Sequence, residues 1–275
     1  MARHLADTVS SFVGMMNHQA EALGMENTHF TNPSGLGNAD QYTTARDMGI
    51  LARALIRDFP RHYPRFHQRK VTHNGITQHN RNRLPEYSEG ADGLITGHAP
   101  DAGYHLVASA QRGKTRFLSV LLGAESGEAR FQDAVATLDY GLRYFETIPV
   151  YQAGQPVREV RVWKGAANEV TTGLNADLFL TIPRHRKDAL DVKAETRDPL
   201  SAPIDPGERV GWLQVSLDGE SLAHRPLVTR DGVAWGGWLR YVMDSVQLKW
   251  NRFWQRQQRK LLAHDKETSG NEPQG

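Results

Sequence analysis

The stretch DGLITGHAPDAGYHLVASA, residues 92–110, gathers the residue types that could line a site. A hydroxyl (Thr96), a glycine (Gly97) and an imidazole (His98) stand in a row, with a run of small residues behind them. Position 95, where a cation would make chemical sense, holds Ile95. A nucleophile is harder to find. A serine hydroxyl attacks poorly until a neighbouring base takes its proton. No serine in the chain is followed three positions later by lysine; Ser109 is followed by Arg112 and Ser221 by His224. There is no cysteine, which excludes a thiolate nucleophile, a thiolate metal site and a disulfide. The 12 histidines show no HExxH or comparable ligand spacing, so no metal and no cofactor are expected.

Composition sets broad bounds. The 275 residues are 39% hydrophobic and 23% charged, within reach of a soluble globular protein with ample length for a core. A formal net charge of only +2 argues against a nucleic-acid partner for the chain as a whole. The Arg-rich YPRFHQRK, residues 63–70, reads as a solvated surface. No run of about 18 apolar residues exists to span a membrane. The N-terminal MARHLADTVSSFVGMM lacks the apolar core of a secretory signal.

The elements that must position residues 92–110 follow from periodicity. Leu5, Val9, Phe12, Val13, Met16, Ala20 and Leu23 recur at helical spacing over residues 4–24, with Gly24 as the stop. Residues 27–41 are turn-rich. Thr44 with Asp47 three residues on makes a capping-box pattern ahead of MGILARALIRDF, which Pro60 and Pro64 close. KVTHNGIT, residues 70–77, predicts a hairpin around Asn74-Gly75. HNRNRL supplies Asn80 and Asn82 as loop-stabilising hydrogen bonders. Residues 104–124 predict two strands around QRGK, and 128–146 a helix. Beyond residue 147 short alternating strands take over, at 157–163, 177–182, 190–196, 209–217 and 221–228, indicating a small all-β, sandwich-like domain. From Trp235 a helical period returns. Trp235, Trp238, Leu239, Val242, Val246, Trp250, Phe253 and Trp254 form one face. Arg240, Lys249, Arg252, Arg256, Arg259 and Lys260 face a single acid, Asp244, over 235–262. A basic face opposite Trp and Phe is the pattern of a helix lying in a lipid headgroup layer. The polar residues 263–275 read as disordered.

Residues 92–110 resemble the region around the Lys-Thr-Gly motif of the D-alanyl-D-alanine carboxypeptidases, the low-molecular-mass penicillin-binding proteins. MMNHQAEALGMENTHFTNPSGL (15–36), TTARDMGILARALI (43–56) and HNGITQHNRNRL (73–84) fit the same family in the same order. The segment 148–230 is similar to its C-terminal domain, and the last helix to its membrane anchor. The resemblance implies an α+β fold. Residues 1–146 would be an incomplete penicillin-binding/β-lactamase-like transpeptidase domain. An all-β domain over 148–230, an anchor helix over 235–262 and the tail would follow.

The resemblance also implies a chemistry: a serine-type hydrolase that removes the terminal D-Ala from peptidoglycan stem peptides and is acylated by penicillins. Its motifs are Ser-x-x-Lys, Ser-x-Asn and Lys-Thr-Gly. Here the first is absent. The only Ser-Gly-Asn string, Ser269-Gly270-Asn271, sits in the polar tail and reads as coincidence. The third is Ile95-Thr96-Gly97, extended by His98. Thr96, Gly97 and His98 are therefore expected to line the substrate groove, with Ile95 in place of the family lysine and no catalytic residue present. The chain reads as the C-terminal part of such an enzyme, inactive alone; the alternative is a non-catalytic pseudoenzyme binding peptidoglycan or a partner at the membrane. The implied place is the periplasmic face of the bacterial inner membrane, with a cytoplasmic location open for want of a signal.

Overall fold

The computed structural model describes residues 1–247 and 249–250. The chain divides into two compact units, one of Met1–Thr147 with Thr181–Arg184, the other of the remainder.

In the first unit, α1 (Ala2–Ala6) and α2 (Val9–Leu23) replace the single helix predicted over 4–24. Asp7 takes a left-handed φ of 57°, and the Thr8 hydroxyl accepts the N–H of Ser11, capping α2 afresh. Gly24 ends α2 in the left-handed conformation as expected. The apolar stripe of α2 is only partly covered: Ala20 is buried, Phe12, Val13, Met16 and Leu23 are half-buried, and Val9 is exposed. Next comes α3 (Ala45–Asp58), capped by Thr44, whose Oγ1 accepts the N–H of Asp47. The reciprocal half of the box does not form. The buried Asp47 carboxylate turns to the N–H of Asn27 and the hydroxyl of Thr28 at 2.9 and 2.7 Å, fixing the preceding loop.

A 3-10 turn (Tyr63–His67) leads into the hairpin β1 (Lys70–His73) and β2 (Ile76–His79). Asn74 and Gly75 both take positive φ, as a type I′ turn demands. The short α4 (Leu84–Tyr87), which periodicity did not announce, precedes an antiparallel sheet ordered β3 (Ala91–Ala99), β4 (Gly103–Arg112), β5 (Thr115–Ala124). Then α5 (Gly127–Tyr144) starts on Ser126, whose hydroxyl accepts the N–H of Ala129. Its predicted last residues belong instead to the next strand.

The sheet is covered on both faces because β4 alternates. Leu106, Ala108 and Ala110 pack with Leu84 and with Ala134, Leu138 and Leu142 of α5. Val107 joins Leu94, Tyr63 and Ala52, flanked by Met48, Leu55 and Val120, on the side of α3. Near-continuous burial of β4 is what a central strand between two layers requires.

Beyond α5 the chain is built mainly of strands. β6 (Phe145–Tyr151) pairs with β9 (Leu178–Pro183) in a two-stranded sheet. β7 (Pro156–Trp163), β8 (Glu169–Gly173), β10 (Leu190–Thr196), β11 (Leu200–Ser201), β12 (Arg209–Leu217) and β13 (Glu220–Thr229) make a six-stranded sheet in the order β10-β12-β13-β8-β7-β11. β6, β8 and β11 escaped the sequence pattern. Val160, Val162, Val170, Leu200, Ile204, Val210 and Val233 form its core.

Residues 238–247 are helical. Trp235, Trp238, Leu239, Val242, Val246 and Trp250 are all exposed. Phe253, Trp254, the Ser269-Gly270-Asn271 string and the tail 263–275 lie outside the described residues. Among the described residues no helix is long and apolar enough to cross a membrane, and no group of three His, Asp or Glu side chains is placed to hold a metal.

Candidate functional site

Ile95, Thr96, Gly97 and His98 are consecutive on β3, an edge strand hydrogen-bonded on one side only. Their register partners on β4 are Val107, Leu106, His105 and Tyr104. Ile95 stands 58% exposed, an aliphatic side chain held in water by its strand. The Thr96 side is closed by a shallow depression of about 20 Å³ between β3, β4, the loop before α4 and the first turn of α5. That space admits a water molecule, not a ligand. Anything bound here must lie along the open edge of β3, which no other strand pairs.

Three sets of side chains hold β3 in place. Asn82 is buried; its amide donates to the Gly93 carbonyl at 2.9 Å while its oxygen accepts the N–H of Leu84. Asn80 works one step earlier, donating to the carbonyls of Phe66 and Gln68 and accepting from the N–H of Asn82. Both asparagines thus act as the predicted loop bonders, and Asn82 also sets the start of β3.

Sequence reasoning missed the second set. Asp92, on the strand just before Gly93, accepts the Tyr63 hydroxyl at 2.8 Å and is bound at both oxygens by Arg116 of β5. Arg116 also donates to Ser109 and Gln111. Burial of Tyr63, reinforced by Asp92, pushes its phenol up to about 12. Tyr63, Asp92 and Arg116 come from three different elements, and only folding brings them together.

The third set surrounds the far end of the strand. Arg130, in the first turn of α5, reaches the carbonyls of Gly97 and His105, both at 3.4 Å, with its guanidinium over the Tyr104 ring. It places a cation directly against the Thr96–Gly97 segment. A lone arginine following a helix cap is a weak sequence signal, and it passed unnoticed. The His98 ring lies 4.2 Å from that of Tyr104. His105 accepts the N–H of Gly123 through Nδ1, and burial, then the neighbouring His98 and Arg130, lower its pKa. The Ser109 hydroxyl, on β4, is buried and taken up by Arg116.

Comparison with known proteins agrees with this geometry. A family described as D-alanyl-D-alanine carboxypeptidase matches residues 1–126. A second, described as penicillin-binding protein 5, C-terminal domain, matches residues 145–234. The chain is 37% identical over 257 residues to D-alanyl-D-alanine carboxypeptidase DacA of Escherichia coli K12, covering 92% of this chain and 63% of that protein. It is 38% identical over 255 residues to DacC of the same organism, covering 92% and 64%. The chain therefore spans somewhat under two thirds of these curated relatives. Among solved structures, penicillin binding protein 5 from Haemophilus influenzae superposes with a TM-score of 0.77 at 36% identity, over 85% of this chain and 69% of that one. Residue identity, order of elements and backbone path converge, and the chain belongs to the D-alanyl-D-alanine carboxypeptidase family.

Proposed function

We propose that this chain serves peptidoglycan remodelling by holding the D-alanyl-D-alanine end of stem peptides along β3, and that these 275 residues do not by themselves cleave what they hold. The observation that carries the reading is the composition of the strand. Thr96, Gly97 and His98 stand at its open edge, while Ile95 occupies the place of the family's lysine, and no serine is followed by lysine at the third position. An aliphatic residue keeps the strand extended. It can neither pair with a carboxylate nor tune a base. Arg130, which hydrogen-bonds the Gly97 carbonyl, supplies with the Thr96 hydroxyl the polar contacts left for a substrate carboxylate.

The second reading, a non-catalytic binder of peptidoglycan or of a membrane partner, is favoured by the same Ile95. Exposed Trp235, Trp238, Leu239, Val242, Val246 and Trp250 supply an apolar surface for the bilayer headgroup layer, which accords with work at the periplasmic face of the inner membrane.

Fluorescent penicillin tests the central claim. The purified chain should remain unlabelled beside an intact carboxypeptidase that labels fully, yet retain a synthetic D-alanyl-D-alanine peptide on a binding assay. Covalent labelling would overturn the claim that the chain cannot be acylated.

A further inference from the structure

Between Asp58 and Glu86 the chain carries no carboxylate. Residues 61–83 hold Arg61, Arg65, Arg69, Lys70, Arg81 and Arg83, along with four histidines. The whole chain is at only +2, so this concentration is local. Every one of these cations is exposed. Arg83 shares Glu128 at 3.2 Å. The other five, Arg61, Arg65, Arg69, Lys70 and Arg81, form no ion pair among the described residues, where cations elsewhere, such as Arg116, Arg186 and Arg197, do.

The fold draws this segment together. The side-chain amide of Asn80 binds the carbonyls of Phe66 and Gln68, and its N–H binds the carbonyl of Arg69. Lys70 stands opposite His79 in the hairpin, so Arg69, Lys70 and Arg81 meet at its base. All eight residues of β1 and β2 are exposed, and the pair joins no other sheet. A two-stranded hairpin with no buried face contributes little to stability. Like charges gathered on it repel one another, and a counter-anion relieves that repulsion.

The basic surface is continuous with the β3 site, because Arg81 and Arg83 line the same depression as Thr96 and Arg130. We propose that residues 61–83 form a second binding surface for the carboxylate-bearing peptide portion of the cell-wall polymer, beyond the segment lying along β3. This rests on the groove reading above and extends it from one peptide end to a stretch of polymer. Two other polyanions fit less well. The aromatic residues of the segment, Tyr63 and Phe66, are buried and half-buried in the core, leaving no stacking platform for nucleobases. Val71 and Ile76 are the only exposed aliphatics, too small an area to enter a bilayer.

Pelleting of the full chain with purified insoluble peptidoglycan, across a salt series, tests this. The combined variant Arg61→Gln, Arg65→Gln, Arg69→Gln, Lys70→Gln, checked for an unchanged circular dichroism spectrum, should bind about tenfold more weakly at low salt and with a shallower salt dependence. Peptidoglycan with amidated carboxylates should reduce binding of the parent at least as far, because the groove loses its carboxylate contact as well. Thr96→Val should weaken binding without changing the salt slope. If Thr96→Val loses binding and the four-residue variant does not, the groove stands and this surface falls. If the parent fails to pellet, both fall. Equal weakening of the four-residue variant toward phosphatidylglycerol vesicles or a single-stranded oligonucleotide also overturns the proposal, since the surface would then select charge alone.

Discussion

Arg116 holds Asp92 at two points: Nη1 meets Oδ1 at 2.8 Å and Nη2 meets Oδ2 at 2.7 Å, spanning from β5 to β3 across the central strand β4. Asp92 lies three residues before Ile95, so the fork fixes where the site-bearing strand begins. About a quarter of each side chain remains exposed, which leaves the pair poorly screened by solvent.

Asp92→Asn should therefore destabilise the chain by about 2 kcal/mol, since one partner is removed and a half-buried guanidinium is left uncompensated. Thermal unfolding followed by circular dichroism reads this directly. Asp58→Asn, which breaks the fully exposed pair with Arg57, should leave the transition where it is.

Acid should act through His105. Its neutral form accepts the Gly123 N–H, and burial, His98 and Arg130 hold its pKa below the ordinary histidine value. The folded state thus binds the proton less readily than the unfolded chain. The stability this contributes is present above the ordinary value of about 6.5 and is lost as pH falls below it. His105→Gln should flatten that loss in denaturant melts between about pH 7 and pH 5.

Packing of α5 on the sheet admits a sharper test. A Cβ at Gly141 would lie 2.9 Å from the Phe117 ring, closer than real contacts allow. Gly141→Ala should cost about 1–3 kcal/mol through overpacking, although alanine is the better helix former. A second change, Phe117→Leu, should restore part of that loss in a double-mutant cycle.

Local chemistry was what the sequence disclosed most readily. Asn74-Gly75 announced its hairpin and Thr44 its cap, because each acts on backbone within a few residues. The row Ile95-Thr96-Gly97-His98 was legible for the same reason, being contiguous. Asp47 was misread as half of a capping box; its carboxylate found a loop about twenty residues earlier, a partner no spacing rule points to. Tyr63, Asp92 and Arg116 come from a turn and two strands, and Arg130 meets Gly97 across a sheet and a helix. Such contacts are set by topology, and periodicity carries no record of them. The strand β8 was missed because Glu169-Val-Thr-Thr-Gly is too short for alternation to register.

The half-covered stripe of α2 has a calorimetric meaning. Heat-capacity change and denaturant sensitivity both scale with the surface that unfolding newly exposes. A fifteen-residue helix with one buried alanine, its Phe12, Val13, Met16 and Leu23 only half-buried, has less to expose than a fully packed one. The first unit should then unfold along a flatter, broader curve than its length implies, with its midpoint set by the sheet between α3 and α5, and α2 following that sheet without steepening its transition.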